Sequence, residues 1–410
     1  MHRSIVLAAV LLGLPAMPAV AQIALPGGGL PQVGLPPLGV GQVLDRVQQR
    51  IDRLDQDLVQ TASDLARVRV QRLDRLVRDH PRLIERDAAG DPARRGELLV
   101  IEPSAADLAT LQAQGFSAIG EEAIAGTGIA VTRIAVPAGT SLADAQRRVT
   151  ALLPQAQVSA DTLYTQAGRA GGRARGSGNG AIATPVGMID GAPGAGSALA
   201  GEAGFATGAP LPSNHGSAVA SLLQSAGVRH IYAADVYGSD PAGGNALAIA
   251  RAFGWLAGKG ARVISISLVG PANPLIARSI HALGARGVTV VAAVGNDGPA
   301  APPAYPASYG DVVAVTGVDR QQRVLIEAGH ALHLDYAAPG ADIFGRGDKG
   351  QRLKLRGTSF ATPLAAARIA AALDRTRDWR TVVDAEAKDL GSKGADKVYG
   401  RGLICADCGR

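Results

Sequence analysis

Aromatic residues, cysteine and long apolar stretches are all scarce in this 410-residue chain. Aromatics make up 3% of the residues, whereas Gly (53) and Pro (24) are frequent, which favours close helix packing and many turns. Lys and Arg outnumber Asp and Glu by only 41 to 35, with no basic stripe interleaved with aromatics, so nucleic acid is not an expected partner. The length exceeds what one core usually holds, so at least two folded units are expected.

Apolar runs are too short to span a bilayer anywhere along the chain, because Arg, Asp or Gly interrupts each of them. The run at residues 5–14 follows a basic start and precedes the small-residue sequence Ala19-Val20-Ala21. This layout predicts a secretory signal at 1–21, cut after Ala21. The mature protein is therefore expected to be secreted or periplasmic, without a membrane span.

The two cysteines, Cys405 and Cys408, both lie in a C-terminal tail at 401–410. A metal site would need further ligands nearby, and a thioredoxin-like motif would lie at a strand-to-helix turn. A local disulfide in an oxidising compartment is the favoured interpretation, and a pair of exposed thiols without a role is the alternative.

The first half of the chain divides into four segments after the signal. Residues 22–41 are a Gly/Pro-rich linker, and 42–90 carry the apolar spacing of an amphipathic helix, packed on a neighbour or on a coiled-coil partner. Residues 97–164 read twice as strand-helix-strand, which predicts a small ferredoxin-like α+β domain. Residues 165–181 form an Arg/Gly-rich linker that should be exposed and easily cut.

Strand and helix patterns alternate from residue 182 to about 400. Continuous Val/Ile runs between amphipathic helices predict an α/β fold in three layers, with a mostly parallel sheet between helices. Active sites in such folds lie beyond the carboxyl ends of the strands.

Four residues with reactive or hydrogen-bonding side chains fall at such positions. Asp190 ends a strand, His215 begins an apolar helix in N-H-G-S, and Ser359 precedes an Ala-rich helix in G-T-S-F-A-T-P. Taken singly, they also fit a turn Asp, a structural His and a helix-capping Ser. Asn296 ends another strand in A-A-V-G-N-D-G, where its amide could hold the oxyanion of an acyl-transfer intermediate.

Together, D-G after a strand, H-G-S-x-V-A, A-A-V-G-N-D-G and G-T-S-F-A-T-P, in that order, resemble the signature set of the subtilases over residues 182–373. The order Asp, His, Ser differs from that of the α/β-hydrolases. The resemblance implies that Ser359 attacks the scissile carbonyl, His215 relays the proton, Asp190 orients His215 and Asn296 donates to the oxyanion.

The resemblance extends to the substrate site. Ser267, Leu268 and Val269 lie on a stretch similar to the strand on which these proteases lay the substrate backbone, and Val294 and Gly295 lie before the oxyanion Asn. Subtilases usually have Gly where this chain has Val269. A β-branched residue there is expected to narrow the primary pocket and favour small side chains.

No acidic cluster resembles the calcium loops of the family, so neither calcium nor another cofactor is indicated, and no metal site is expected. Residues 97–164 resemble the family's inhibitory propeptide in position and topology. The resemblance implies an intramolecular inhibitor, removed by self-cleavage within 164–181. Tyr164 is one candidate for the residue before the cut.

These observations predict a secreted serine endopeptidase that acts on protein or peptide substrates and is made as a self-processing precursor. One alternative is a protease restricted to itself or to one partner, recruited by the helix at 42–90. The other is a non-proteolytic binding protein on the same fold.

Overall fold

The computed structural model describes residues 40–171, 181–406 and 408. The expected signal at 1–21, most of the 22–41 linker and residues 172–180 lie outside the described residues. The chain divides after Asp55 into two units, and of the first only the start of one helix is described. Within the described part, none of the helices combines the length and apolarity needed to cross a membrane. The same residues contain no group of three or more His, Cys, Asp or Glu side chains that could hold a metal ion.

Helix α1 spans Val40–Asp79. It starts slightly earlier than predicted and stops well short of residue 90. Pro81 explains the end, because proline lacks an N–H and disfavours helical conformation in the residue before it. The His80 carbonyl instead accepts hydrogen bonds from the N–H groups of Leu83 and Ile84, which turn the chain into a strand. The predicted helix 42–90 is therefore wrong beyond Asp79.

A small α+β domain follows, with two helices packed on a five-stranded antiparallel sheet. Leu98, Val100, Phe116, Ile134 and Val149 lie in the core between sheet and helices. The elements are β1 (Ile84–Arg86), β2 (Pro92–Ile101), α2 (Ala105–Ala113), β3 (Ser117–Ile124), β4 (Ile129–Ala135), α3 (Leu142–Leu152) and β5 (Gln157–Thr162).

Strand β2 is central in this sheet. It pairs with β5 on one side and with β4 on the other, β3 lies beyond β4, and β1 pairs with the start of β2. Apart from β1, this is the strand order of a ferredoxin-like unit. The predicted start at 97 misses β1 and half of β2, because Arg94 and Arg95 interrupt the apolar pattern there. Both arginines form ion pairs, Arg94 with Asp240 and Arg95 with Glu85.

Two short strands, β6 (Thr165–Gln166) and β7 (Arg169–Gly171), follow β5. Both belong to the second domain. Its remaining elements are β8 (Val186–Asp190), β9 (Gly201–Gly204), α4 (Asn214–Ser225), β10 (Ile231–Asp235), α5 (Ala246–Gly258), β11 (Val263–Ile266), β12 (Leu268–Val269), α6 (Pro274–Ala285), β13 (Thr289–Ala293), β14 (Val312–Val318), β15 (Tyr336–Pro339), β16 (Ala341–Arg346), β17 (Arg352–Arg356), α7 (Thr358–Leu373) and α8 (Trp379–Glu386).

A seven-stranded parallel sheet forms the middle layer, in the order β15-β14-β13-β11-β8-β10-β9. Successive residues of each strand face opposite helical layers. Met188 and Val291 pack with α4, α7 and α8, while Ile189 and Val290 pack with α5 and α6. The predicted three-layer α/β fold is confirmed. Asp190 ends β8, which lies inside the sheet between β10 and β11.

Residues 165–171 are paired with this domain rather than free. Strand β6 runs antiparallel to β12, and β7 runs antiparallel to β17. The predicted linker at 165–181 is therefore wrong for its first seven residues. Side-chain composition does not reveal this pairing, because it is made by main-chain hydrogen bonds that Gly and Ala form as well as any residue.

The C-terminal residues also belong to the second domain rather than to a free tail. Leu403 and Ile404 are buried, and Leu403 exchanges two backbone hydrogen bonds with Lys388. Cys405 and Cys408 form a disulfide, as favoured from the sequence, and Cys408 is buried in the core beside α8. The predicted boundary at 400–401 is therefore placed too early, because buried apolar contacts continue beyond it.

Candidate active site

Asp190, His215 and Ser359 meet at the carboxyl edge of the parallel sheet. His215 lies in the first turn of α4 and Ser359 in the first turn of α7. His215 Nδ1 is 2.8 Å from Asp190 Oδ2, and His215 Nε2 is 3.0 Å from Ser359 Oγ. All three side chains are buried. With Nδ1–H donated to the carboxylate, Nε2 is the nitrogen that accepts from the Ser359 hydroxyl.

The start of α4 explains how His215 comes so close to β8. Ser213 caps the helix by accepting the N–H of Gly216 at 3.0 Å. A Cβ on Gly216 would lie 2.0 Å from the carbonyl oxygen of Gly191, the residue after Asp190. Glycine is therefore required here for the helix to touch the end of the strand.

Contacts of Ser359 and of the next residue, Phe360, fix the start of α7 in the site. Ser267 Oγ donates to the Ser359 carbonyl at 2.8 Å, and the ring of Phe360 lies 5.1 Å from the His215 ring. The position of Ser359 at the N-terminus of α7 also favours negative charge that develops nearby.

Asn296 presents a buried amide donor to the same place. Its Oδ1 accepts the N–H of Thr358 at 3.0 Å, which fixes the side chain, while its Nδ2 is buried without a hydrogen-bond partner among the described residues. Buried polar groups are normally satisfied, so this N–H is available to donate to an oxygen that becomes negatively charged in the cleft. Asn296 Nδ2 and the Cα of Gly168 both lie close to the same face of Gly357.

The chain's own segment 165–168 occupies this cleft. Ala167 N–H donates to the Ser267 carbonyl at 3.1 Å, and the backbone N–H of Ser359 donates to the Ala167 carbonyl at 2.9 Å. A Cβ on Gly168 would lie 2.0 Å from Ser359 Oγ. The peptide bond between Ala167 and Gly168 therefore lies at the Ser359 hydroxyl, with its carbonyl oxygen on a backbone donor.

The segment also touches the triad directly. Gln166 Nε2 donates to Asp190 Oδ1 at 3.0 Å, next to the N–H of Gly191, which donates to the same oxygen at 2.7 Å. Sequence reasoning missed Gln166, Ala167 and Gly168, since a polar residue followed by Ala and Gly is indistinguishable from a linker.

The five predicted substrate-binding residues are distributed around this segment. The Ser267 main chain receives Ala167, although its side chain is turned towards Ser359. Leu268 and Val269 pair with Gln166 and Thr165. Val269, Val294 and Gly295 line a cavity, and Val269 packs against Gly295 in its wall.

Tyr164 is held further from Ser359, in a buried site of its own. Its N–H donates to the Gly244 carbonyl at 2.8 Å, its carbonyl accepts from the Tyr237 hydroxyl at 3.0 Å, and its hydroxyl donates to the Pro271 carbonyl at 2.8 Å. Burial raises the pKa of the Tyr164 phenol well above its usual value, so it remains a donor. Tyr164 thus anchors the segment and does not lie at Ser359, which argues against it as the residue before the cut.

Comparison with known proteins identifies a matching family model and several relatives. The Subtilase family model matches residues 198–402, which include His215, Asn296 and Ser359 but begin after Asp190. Subtilisin BL from Lederbergia lenta is 30% identical over 225 residues, 51% of this chain and 83% of its own length. Thermitase from Thermoactinomyces vulgaris is 32% identical over 151 residues, 37% of this chain and 52% of its own.

A solved structure shares the fold. Fervidolysin from Fervidobacterium pennivorans, described as a keratinolytic enzyme related to subtilisin, aligns with a TM-score of 0.64 at 16% identity. The alignment covers 77% of this chain and 61% of fervidolysin, so the chain spans less than two thirds of that protein.

Proposed function

Since this chain belongs to the subtilase family and is a serine endopeptidase, we propose that it is exported as a precursor and cleaves its own Ala167–Gly168 bond. Its substrates are proteins or peptides. The proposal assigns catalysis to Asp190, His215 and Ser359, with Asn296 as an oxyanion donor.

The reaction follows from the contacts in the cleft. Ser359 Oγ attacks the Ala167 carbonyl carbon while His215 Nε2 takes the hydroxyl proton, and Asp190 stabilises the imidazolium that forms. The negative oxygen is held by the Ser359 N–H, already 2.9 Å away, and by Asn296 Nδ2. His215 then protonates the Gly168 nitrogen as the bond breaks, and water hydrolyses the Ala167 ester.

The single observation that carries self-processing is the hydrogen bond from the Ser359 N–H to the Ala167 carbonyl. The chain continues on both sides of this bond as paired strands, β6 before it and β7 after it. A substrate backbone held on both sides of the reacting carbonyl is oriented for attack. The proposed bond lies within the range 164–181 that the sequence predicts for the cut.

The domain of β1–β5 acts as the intramolecular inhibitor in this proposal. Its sheet shares a buried apolar cluster with α5 and α6, formed by Ile101, Ile124, Val131, Leu247 and Leu275 among others. Buried Asn273 adds two hydrogen bonds from Nδ2, to the Ala160 carbonyl at 3.1 Å and to Thr162 Oγ1 at 3.0 Å. These contacts remain after the Ala167–Gly168 bond is cut, so the released domain keeps its tail in the cleft.

The test is the N-terminus of the purified protein. Wild type should yield a fragment that begins at Gly168, whereas Ser359→Ala should stay uncut and, if exported, begin at Gln22. Mass spectrometry reads both ends in one experiment. Maturation of Ser359→Ala in purified form would refute self-processing, and a different new N-terminus in wild type would refute the assigned bond.

A further inference from the structure

A cavity of about 500 Å³ is lined by Val269, Val294 and Gly295 and by Thr165, two residues before Ala167. The catalytic domain forms only part of its wall. The rest comes from the N-terminal part of the chain, where α1 and the turn between β1 and β2 lie over it. These covering residues are Arg69, Val70, Arg72, Leu73, Arg86, Ala89, Gly90, Asp91 and Pro92.

Two arginines of α1 form ion pairs with Asp297 at the rim of this cavity. Arg72 Nη2 lies 3.0 Å from both carboxylate oxygens of Asp297, and Arg69 Nε lies 3.4 Å from Oδ2. Asp297 directly follows Asn296, and its side chain is only 16% exposed. A carboxylate this buried needs cationic partners, and here α1 supplies both of those found among the described residues.

The contact is a continuous helical face. Leu65 packs over Gly298, and Leu65, Arg69 and Arg72 are spaced four and three residues apart, which places them on one side of the helix. Farther along α1, Leu76 and Val77 pack on Ile84 and Leu163. The last fifteen residues of α1 thus contact the cavity rim through residues 65–72 and the inhibitory domain through Leu76 and Val77.

We propose that the face of α1 formed by Leu65, Arg69 and Arg72 is a second inhibitory element, which docks on Asp297 and closes the side-chain cavity to substrates. The inference rests on the proposed function. It is separate from the β6 contact, because β6 occupies the backbone site at β12 whereas α1 covers the adjacent cavity.

The test compares Arg69→Gln/Arg72→Gln with Arg67→Gln. Arg67 is a matched control on the same helix, since its one ion pair among the described residues is with Asp64 and its side chain is 61% exposed. Each protein is produced as the full chain and allowed to cut itself, so that the cleaved N-terminal part is still present. The mixture is diluted serially, and hydrolysis of acetyl-Tyr-Thr-Gln-Ala-p-nitroanilide gives the apparent inhibition constant of that part. The double variant should raise the apparent inhibition constant by about 3- to 30-fold, the range expected for two partly exposed ion pairs. The control should match wild type.

A second measurement does not depend on catalysis. In the Ser359→Ala precursor, hydrogen exchange of residues 65–79 should become faster with the double variant and with Asp297→Asn, while 165–168 stay protected. Unchanged exchange in α1 would overturn the docking contact. Faster exchange without any change in the inhibition constant would overturn its inhibitory role. Failure of wild type to cut itself would instead count against self-processing, and the exchange data would still decide the docking.

Discussion

At the scale of single residues, the geometry of the site depends on the close approach of neighbouring helices, strands and loops more than on any one reactive side chain. Gly216 lets α4 approach the end of β8, and Ser267 donates to the Ser359 carbonyl. The side chain of Asn296 is held by the N–H of Thr358. Each could be predicted as a candidate from its motif. What the motifs could not predict is that Ala167 and Gly168 occupy the cleft, since neither carries a distinctive side chain.

Gly168→Ala should slow self-cleavage by about 10- to 100-fold, because its Cβ would meet Ser359 Oγ and displace the reacting carbonyl. Gly284→Ala in α6 is the matched control, since a Cβ there meets no atom within 4 Å. The time course of precursor disappearance on a gel measures the effect. Wild-type kinetics for Gly168→Ala would contradict the assigned position of the bond.

Val269→Gly should widen the range of side chains accepted before the cut. Val269 packs against Gly295 in the cavity wall, so its removal leaves room that a larger side chain can fill. Peptide anilides that end in Ala, Leu or Phe compare the two proteins. We expect wild type to favour Ala and the variant to gain about 10-fold or more in relative kcat/KM for Phe. An unchanged ranking would exclude Val269 as a determinant of specificity.

At the scale of elements, the segments with a regular apolar pattern were predictable, and the short strands paired only through the main chain were not. Apolar spacing indicates helices α4, α5 and α7 and the buried strands. Strands β6 and β7 do not, because main-chain pairing leaves no pattern in composition. The end of α1 at Asp79 was missed for another reason: the apolar spacing continues past Pro81 although the helix cannot.

The contact between β5 and the start of α5 should depend on pH. Buried Asp161 accepts the N–H of Leu247 at 2.9 Å, and burial, reinforced by Glu97, raises its pKa from 3.8 to about 7. The hydrogen bond from the Leu247 N–H, and to a smaller extent Arg94 and Arg251, lower the pKa of Asp161 but do not cancel this shift. Around them lie further charged groups: Asp240, Glu122 and Arg133.

The sign follows from the raised pKa. Below about pH 4 the carboxyl is neutral whether the contact is formed or broken, and the contribution to stability is fully present. Between about pH 4 and 7 the broken state loses a proton that the formed state keeps, so the contact weakens as pH rises, by on the order of 2–4 kcal/mol in all.

Denaturant unfolding of the Ser359→Ala precursor at pH 5 and pH 8 should therefore show lower stability at pH 8. Asp161→Asn keeps an oxygen for Leu247 but does not titrate, so its stability should change less between the two values. An equal change in both proteins would show that other groups, not Asp161, carry the dependence.

At the scale of the whole molecule, four contacts surround the Ala167–Gly168 bond that we propose is cut. The domain of β1–β5 packs on α5 and α6, β6 pairs with β12, β7 pairs with β17 beyond the bond, and α1 lines the cavity beside Val269. Cleavage at Ala167 would leave three non-covalent contacts to hold the released part. In this proposal, activation requires that all three contacts separate. The α1 contact depends on ion pairs and the β5 contact on the charge of Asp161, so ionic strength and pH would weaken different contacts.

The sequence by itself determined the reaction class and the three-layer fold, because a parallel sheet buried between helices needs long apolar runs and the reactive residues occur in motifs at strand ends and helix starts. Only the tertiary structure decided which bond meets Ser359, that residues 165–171 are paired and that α1 lies on Asp297. These features depend on main-chain hydrogen bonds and on contacts between residues distant in the chain. Such contacts leave no local pattern from which they could be read.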